Sequence, residues 1–229
     1  MKWYYLLINL FSIAGPLILS FDKKVAFFKS IQSILWSISI VSSIYLLWDV
    51  IFTKLGIWEF NSKYVLGHFL FSLPFEEYLF FLAIPYCCLF IYACLRHYLP
   101  KVNYPRYAHL FIGLLGLVSI SIVYFNFSKL YTAVTFSLLF FTLMNYWLNL
   151  TNYLTHALLA WFIALIPMAI VNGLLTGLPI LIYNNEQNLG IRIGTIPIED
   201  FFYNLILMLW MITLYERSKR RIAKRLAKT

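Results

Sequence analysis

The chain has few charged residues and very few acids. Only 12% of its 229 residues are charged, and nine are acidic, of which three are aspartates. So few aspartates exclude an aspartate-rich motif that holds magnesium and a pyrophosphate. The sequence also has no glycine-rich loop for a dinucleotide or nucleotide, and no CxxC or metal-spaced group of cysteines and histidines. We therefore expect neither a metal nor a cofactor.

Apolar residues are abundant instead, at 62% of the sequence, with a mean hydropathy of +0.79. This composition predicts an integral, multi-pass membrane protein. Runs without Asp, Glu, Lys or Arg indicate helices of about the 20 residues that cross a bilayer. These runs are Trp3–Phe21, Ser30–Trp48, Tyr78–Leu95, Tyr107–Ser128 and Leu130–Asn185, the last holding two helices with a break at Asn149–His156. A further helix from Pro197 to near Arg217 gives seven spans.

The basic residues indicate how the chain crosses the membrane. If the C-terminal tail is cytoplasmic, 13 of the 18 Lys and Arg residues lie on that side of the membrane. The positive-inside rule then places the N-terminus outside and the C-terminus in the cytoplasm. The net charge of +9 is explained by topology, so no nucleic-acid partner is expected. The tail is expected to rest on anionic lipid.

An internal repeat organises the chain. A shift of 123 residues aligns 49–82 with 172–205 without an insertion. Matches of polar residues and glycines are the informative ones, and they include Asn61 with Asn184, Gly67 with Gly190, and Pro74 with Pro197. The same shift relates the first three helices to the last three and leaves one helix as a connector.

The predicted fold is an all-α transmembrane bundle of about seven helices, built from two three-helix repeats and a connecting helix. Three spans and a connector return the second repeat in the orientation of the first, so the repeats are parallel, about an axis along the membrane normal. The predicted boundaries are 1–100 for the first repeat, 101–125 for the connecting helix, 126–217 for the second repeat and 218–229 for the basic tail.

Each repeat carries a Pro-x-acid-acid motif, with Glu76 and Glu77 in the first and Glu199 and Asp200 in the second. Carboxylates inside a bilayer cost roughly 2.5–3.5 kcal/mol on the insertion scale, and they are functional by default. The alternative is that they only cap two helix N-termini, where the helix dipole favours an acid. Because the same motif occurs twice at one offset, we predict that all four acids are catalytic.

The acids suggest proton chemistry. A carboxyl pair removed from water tends to hold a proton, so one member of each pair is a candidate general acid. Arg192, in the last interhelical loop, is predicted to keep Glu199 or Asp200 ionised, which would leave Glu76 or Glu77 as the proton donor.

Aromatic side chains near the motifs could stabilise a carbocation. They could equally belong to the aromatic girdle of a membrane protein. The positions predicted to bind or position a substrate are Asp49, Trp58, Asn61, Phe80, Asn172, Tyr183, Asn184, Arg192 and Tyr203.

Several segments closely resemble the membrane-integral lycopene cyclase family. They are GPLILSFDKK (15–24), LLWDVIFTKLGIWEFN (46–61), LPFEEYLFF (73–81), NGLLTGLP (172–179) and LGIRIGTIPIEDFFY (189–203). The chain is similar to the fused form of the heterodimeric bacterial type and is related to the cyclase domain of bifunctional fungal enzymes. The resemblance implies a bacterial inner-membrane enzyme.

The resemblance also implies a reaction. An acid would protonate the terminal double bond of lycopene, the cation would close a six-membered ring, and loss of a proton would give β-ionone rings, in γ-carotene and then β-carotene. The implied partners are the carotenoid, the surrounding lipid and other carotenoid enzymes. The alternatives are a cyclase of a longer carotenoid or another terpenoid, and a non-enzymatic membrane transporter or carotenoid-binding scaffold.

Overall fold

Seven α-helices make up most of the part of the chain that a computed structural model describes, residues 1–149 and 151–227. The helices are α1 (Tyr4–Leu19), α2 (Ile31–Lys54), α3 (Phe75–Tyr98), α4 (Pro105–Phe125), α5 (Leu130–Leu148), α6 (Leu154–Gly177) and α7 (Ile198–Leu226). Six short strands lie in the two long loops: β1 (Trp58–Phe60), β2 (Phe69–Leu70), β3 (Leu73–Pro74), β4 (Leu181–Tyr183), β5 (Arg192–Ile193) and β6 (Ile196–Pro197). Single 3-10 turns at Phe27–Ser30 and Asn185–Gln187 complete the regular structure.

The helices follow the apolar runs of the sequence. In the described residues, α2 to α7 are long and apolar enough to cross a membrane, by length and composition. The first helix, α1, has 16 residues, just under the shortest helix that crosses the hydrocarbon. The predicted all-α membrane bundle is therefore confirmed.

Two helix ends differ from the prediction. The charge-free run Ser30–Trp48 stops before Asp49, but α2 continues through this residue to Lys54, and Asp49 is buried. At the other end of the chain, α7 continues past Arg217 to Leu226 through basic residues, which the negative end of a helix dipole favours. Residues 228 and 229 of the predicted tail lie outside the described residues.

The repeat is present in the structure element by element. A shift of 123 residues superimposes the bounds of α2 on those of α6, the strands β1 to β3 on β4 to β6, and the first residue of α3 on that of α7. The first helices of the repeats, α1 and α5, begin 126 residues apart, so the stretch from the start of the first helix to the start of the next is three residues shorter in the second repeat. The single shift predicted from the sequence is thus wrong for this pair of helices.

The two repeats join through a strand pair. β1 and β4 are antiparallel, with Glu59 opposite Ile182 at the centre of the pairing. These two residues are equivalent in the repeat, so the pseudo-twofold axis passes between them. Each repeat also forms its own hairpin, β2 with β3 and β5 with β6. Gly67 and Gly190 precede the hairpins with φ of 94° and 76°, a conformation that glycine adopts without strain, which explains their match in the sequence.

The bundle is centred on α7 and leaves α4 at its edge. Of the most apolar window in α7, 67% of the residues are buried, against 22% for α4. Each repeat has one long helix that precedes its hairpin loop, α2 in the first repeat and α6 in the second. Both of these helices pack against α3 and α7. The first turns of α3 and α7, with their acids, consequently lie inside the bundle.

Candidate active site

Both acid pairs lie in the first turn of a buried helix. Pro74 and Pro197 are the N-cap residues, and their extended backbone lets α3 and α7 begin one residue later. The predicted first-turn location of the acids is confirmed. The exposed fractions of the side chains are 0% for Glu76, 5% for Glu77, 0% for Glu199 and 3% for Asp200. None of the four side chains is therefore exposed to water at the protein surface.

The first acid of each pair turns towards its own hairpin loop. Glu76 Oε1 accepts a hydrogen bond from the Leu66 backbone N–H at 2.6 Å, and Glu199 Oε1 accepts one from Leu189 N–H at 2.7 Å. Glu199 Oε1 also accepts from the Thr132 hydroxyl at 2.6 Å. Because the bonds from the Leu66 and Leu189 N–H groups are equivalent in the repeat, they fix each loop onto its helix in the same way.

The second acid of each pair faces a central cavity of about 290 Å³. Glu77 and Asp200 are in its wall, together with Asp49 from α2 and Asn172 from α6. The rest of the wall is mainly apolar or aromatic and includes Trp58, Phe60, Phe80, Phe81, Ile84, Met168, Leu175, Leu181 and Leu207. Three carboxyl groups therefore converge on a hydrocarbon-lined space.

The first repeat forms one half of the cavity, and this half contains a pair of carboxyl groups. Asp49 and Glu77 are neighbours in the cavity wall, close enough for their carboxyl groups to interact. The Tyr5 hydroxyl donates to Glu77 Oε2, and the Tyr203 hydroxyl donates to Asp49 Oδ1 at 3.0 Å. The pair is thus enclosed by two phenols.

The half around Asp200 contains one carboxyl and three donors. Tyr131 donates to Oδ1 at 2.6 Å, and Tyr183 and Asn172 donate to Oδ2 at 2.9 and 3.3 Å. Tyr183 lies in β4, outside the helices, where burial and the neighbouring Asp200 raise the pKa of its hydroxyl well above the usual value. The phenol therefore keeps its proton and acts as a donor.

Aromatic rings surround the carboxyl groups. The ring centroids of Trp58 and Tyr131 are 5.2 Å apart, and those of Trp58 and Tyr183 are 5.8 Å apart. On the opposite side, Tyr45 packs edge-on against Tyr203 with centroids 4.6 Å apart. Ring faces carry negative potential, so a cation formed between them would be stabilised without a bulk solvent.

The model of the lycopene cyclase family matches residues 2–95 and 128–218, which together are most of the chain. The chain belongs to this family. Membership gives the protein a cyclase role in carotenoid biosynthesis, and the apolar helices embed this cyclase in a membrane. The matched segments are the two repeats, and the whole of α4 lies in the gap between them. Comparison with curated proteins gives no match, and neither does comparison with solved structures.

The cavity of the cyclase contains most of the positions expected to bind substrate. Asp49, Trp58, Phe80, Asn172, Tyr183 and Tyr203 all contribute to its wall. Among the residues expected to be catalytic, Glu77 and Asp200 do so as well. In contrast, Glu76 and Glu199 accept hydrogen bonds from their loops, and Glu199 also accepts one from Thr132 of α5.

Asn61 and Asn184 lie at the ends of the paired strands instead of in the cavity wall. The Asn61 N–H donates to the Ile180 carbonyl, and the Asn184 N–H donates to the Ile57 carbonyl, both at 2.9 Å. Their side chains accept from the backbone two residues further on, which is an Asx turn. The match of these asparagines between repeats therefore has a structural reason, the closure of the strand pair.

Arg192 does not bind either acid, contrary to the prediction that it keeps Glu199 or Asp200 ionised. Its guanidinium donates to the Thr195 carbonyl and to Asn185 Oδ1, each at 2.6 Å. It also lies over the ring of Tyr183, 5.9 Å from the centroid. An arginine in an exposed loop satisfies its donors there without crossing into the apolar interior.

Tyr5 and Tyr131 were missed by the sequence reasoning, although they donate to the motif acids of the cavity, Glu77 and Asp200. They occupy equivalent places in α1 and α5, but 126 residues apart. A search for matches at the 123-residue shift passes over them, whereas allowing a gap of three residues after the first helix would have paired them.

An outer groove between α1 and α6 adjoins the cavity. Ser12, Pro167 and Val171 belong both to the cavity wall and to an outer groove. The groove is otherwise apolar, with Tyr4, Leu7, Ile8, Phe11, Ile170, Leu174 and Leu178.

Cys87 and Cys88 lie in the cavity wall as free thiols. In residues 1–149 and 151–227, no three His, Cys, Asp or Glu side chains are grouped to hold a metal ion.

Proposed function

We propose that this cyclase converts the linear ends of lycopene to β-ionone rings, giving γ-carotene and then β-carotene, by acid catalysis without a change of oxidation state. The observation that supports this most directly is the central cavity, in which Asp49, Glu77 and Asp200 face a wall of hydrocarbon and aromatic side chains. A hydrocarbon substrate needs such a wall, and its protonation needs a carboxylic acid.

The chemistry balances with these groups alone. A carboxyl O–H bond breaks and a C–H bond forms at the terminal double bond of the substrate, leaving a tertiary cation. The neighbouring double bond attacks this cation and closes the ring, which moves the positive charge into the ring. A ring C–H bond then breaks, its electrons form the ring double bond, and the proton returns to a carboxylate of the site. The product is an isomer of the substrate.

The fit of the substrate supports the same reaction. A cavity of about 290 Å³ holds one end of a long polyene instead of the whole molecule. The rest of the chain would lie in the apolar groove between α1 and α6, whose residues join the cavity wall at Ser12 and Pro167. The substrate would then enter from the bilayer, one end at a time.

The proposed setting is a multi-pass protein of a bacterial inner membrane, with the N-terminus outside and the C-terminus in the cytoplasm. The basic residues at the end of α7 would contact anionic lipid from the cytoplasmic side. Other carotenoid enzymes, which supply lycopene or consume the cyclic product, would be its protein partners.

Expression of the chain in lycopene-producing cells tests the proposal. We expect red lycopene to be replaced by orange cyclic carotenoids, which chromatography of the extracted pigment resolves. Glu77→Gln should lower cyclic product at least 100-fold and Asp200→Asn by a smaller factor, because each removes a carboxyl group from the cavity. Glu186→Gln changes an exposed acid and serves as the matched control with unchanged conversion.

A different result would favour the other functions. If the folded protein left lycopene unchanged but co-purified with it, a binding scaffold would replace the enzyme. Conversion of a longer carotenoid in preference to lycopene would keep the chemistry but change the substrate.

A further inference from the structure

The two halves of the cavity differ at one pair of equivalent positions. Asp49 of α2 lies beside Glu77, whereas Asn172 of α6 lies beside Asp200. The first half therefore has two carboxyl groups and the second has one carboxyl group and one amide. This difference changes which groups can hold a proton.

Asp49 and Glu77 are two neighbouring carboxyl groups in the wall of one apolar cavity. Two adjacent carboxylates in such a space repel each other, which favours a form in which the pair holds one proton. A protonated carboxyl can donate to its ionised neighbour, so the two groups are placed to share that proton. Tyr203 and Tyr5 add one donor to each carboxyl, which would stabilise the charge left behind when the proton departs.

Asp200 is in the opposite situation. Two phenols and the amide N–H of Asn172 supply three donors to its two oxygens. Asp49 and Glu77 each accept from a single phenol, so of the three cavity carboxyl groups Asp200 has the most donors to stabilise a negative charge. Asp200 is thus arranged to receive a proton and to face a cation.

We propose that Asp49 is a catalytic carboxyl, that its pair with Glu77 donates the proton that starts cyclisation, and that Asp200 accepts the proton that ends it. This assignment rests on the cyclase activity proposed above. The shared carboxyl proton forms the new C–H bond of the substrate, and the pair is left with both members ionised. After ring closure, the electrons of a ring C–H bond form the double bond while its proton goes to Asp200. Return of this proton from Asp200 to the pair completes the cycle, with no other reactant.

Asp49→Asn tests the donor. This change makes the first half of the cavity resemble the second, since the amide can donate to Glu77 without a shared proton. We expect turnover of lycopene to fall at least 100-fold, while Asp49→Glu, which restores a carboxyl group, keeps more than a tenth of the activity. The thermal midpoint of both purified variants should stay close to that of the unchanged protein.

Asp200→Asn tests the acceptor by a different readout. Protonation and ring closure can still occur, so lycopene should still be consumed at a reduced rate. The carbon that loses its proton should change, which shifts the ratio of β, ε and γ rings. In heavy water, the deuterium added in the first step should remain in the rings made by Asp200→Asn, whereas Asp49→Asn should add none to lycopene.

Two results would overturn the assignment. One is Asp49→Asn with more than half of the original turnover. The other is the reversed pattern, in which Asp200→Asn stops all consumption of lycopene and Asp49→Asn only changes the ring ratio. If Asp49→Asn does not fold, Tyr203→Phe replaces it, and an unchanged turnover there would overturn the proposal, because a drop of about 10-fold is expected.

These failures are separate from a failure of the proposed function. The unchanged protein and Glu186→Gln are measured in the same cells. If both convert lycopene and Asp49→Asn does as well, the cyclase activity stands and only the role of Asp49 is lost. If neither converts lycopene, the proposed function itself is wrong.

Discussion

The first and second repeats use the same backbone frame around different cavity walls. The hairpin loops are fixed by equivalent glutamates, Glu76 and Glu199, and preceded by equivalent glycines. The cavity positions have diverged, since Phe80 in one repeat corresponds to Tyr203 in the other, and Phe60 corresponds to Tyr183. Positions that are equal in the two repeats therefore hold the structure, while unequal positions set the chemistry.

This difference explains why two adjacent acids in one motif have separate roles. Successive residues in an α-helix point about 100° apart, so an acid that faces the loop places its neighbour towards the bundle interior. Glu76 bonds to the Leu66 N–H, and Glu77 lines the cavity. One motif thus supplies both a loop anchor and a cavity carboxyl.

Removing the loop anchors should give the largest effect on stability. Glu76→Ala or Glu199→Ala leaves a backbone N–H of the loop without its acceptor, which costs about 1–3 kcal/mol of unfolding free energy. Chemical denaturation in detergent measures the loss. Glu76→Gln keeps an acceptor for the loop N–H and should lose less unfolding free energy than Glu76→Ala. At Glu77, by contrast, the change to Gln should abolish most of the activity, because it removes the cavity carboxyl group. Equal turnover losses for Glu76→Gln and Glu77→Gln would show that the two acids are not divided in this way.

Removing the phenol donors should separate the two halves of the cavity. Tyr5→Phe takes the phenol donor from Glu77 and should lower kcat about 10-fold. Tyr131→Phe should lower it less, because Asp200 keeps the bonds from Tyr183 and Asn172. Initial rates of lycopene conversion in membranes measure both. A larger loss for Tyr131→Phe would contradict the stated division between the halves.

Substituting the loop glycines should affect both repeats alike. The Cβ of Gly67→Ala or Gly190→Ala would meet no atom within 4 Å, so only the positive φ resists it. We expect each change to lower the unfolding free energy by about 1 kcal/mol. Thermal midpoints of the two variants measure the effect, and clearly unequal shifts would show that the loops are not equivalent in energy.

Removing the loop arginine should have the smallest effect. Arg192 bonds to exposed groups of its own loop and not to the acids, so Arg192→Ala should change the unfolding free energy by about 0.5 kcal/mol or less. Turnover should be unchanged. A loss of activity as large as that of Asp200→Asn would restore the sequence-based hypothesis that Arg192 controls the acids.

Much of the fold could be predicted from the sequence, because a bilayer demands long apolar helices and internal satisfaction of the backbone. The prolines of the motifs indicated where the two helices begin, because proline lacks the backbone N–H that a helix interior needs. The acids that follow them were therefore predicted to lie in the first turns. The family resemblance, confirmed by the family match, was carried by the motifs in both repeats.

The arrangement of the site could not be predicted in the same way. Asp49 ended a charge-free run and therefore looked like a helix end, although it lies within α2 and the Tyr203 hydroxyl donates to its buried carboxyl. Tyr5 was hidden by the change of shift between the first helices. Which acid of each pair faces the cavity depends on how far each helix is rotated, and packing against neighbouring helices decides this rotation.

The strand pair between β1 and β4 has a consequence for assembly. Each of these strands would be an open edge in an isolated half, and an open edge readily pairs with another chain. In the complete chain, each half supplies the partner that the other needs, much as two subunits do about a twofold axis. Halves made as two separate polypeptides, divided near α4, should therefore recombine through the same strands, and neither half alone should complete the chamber in which the ring is closed.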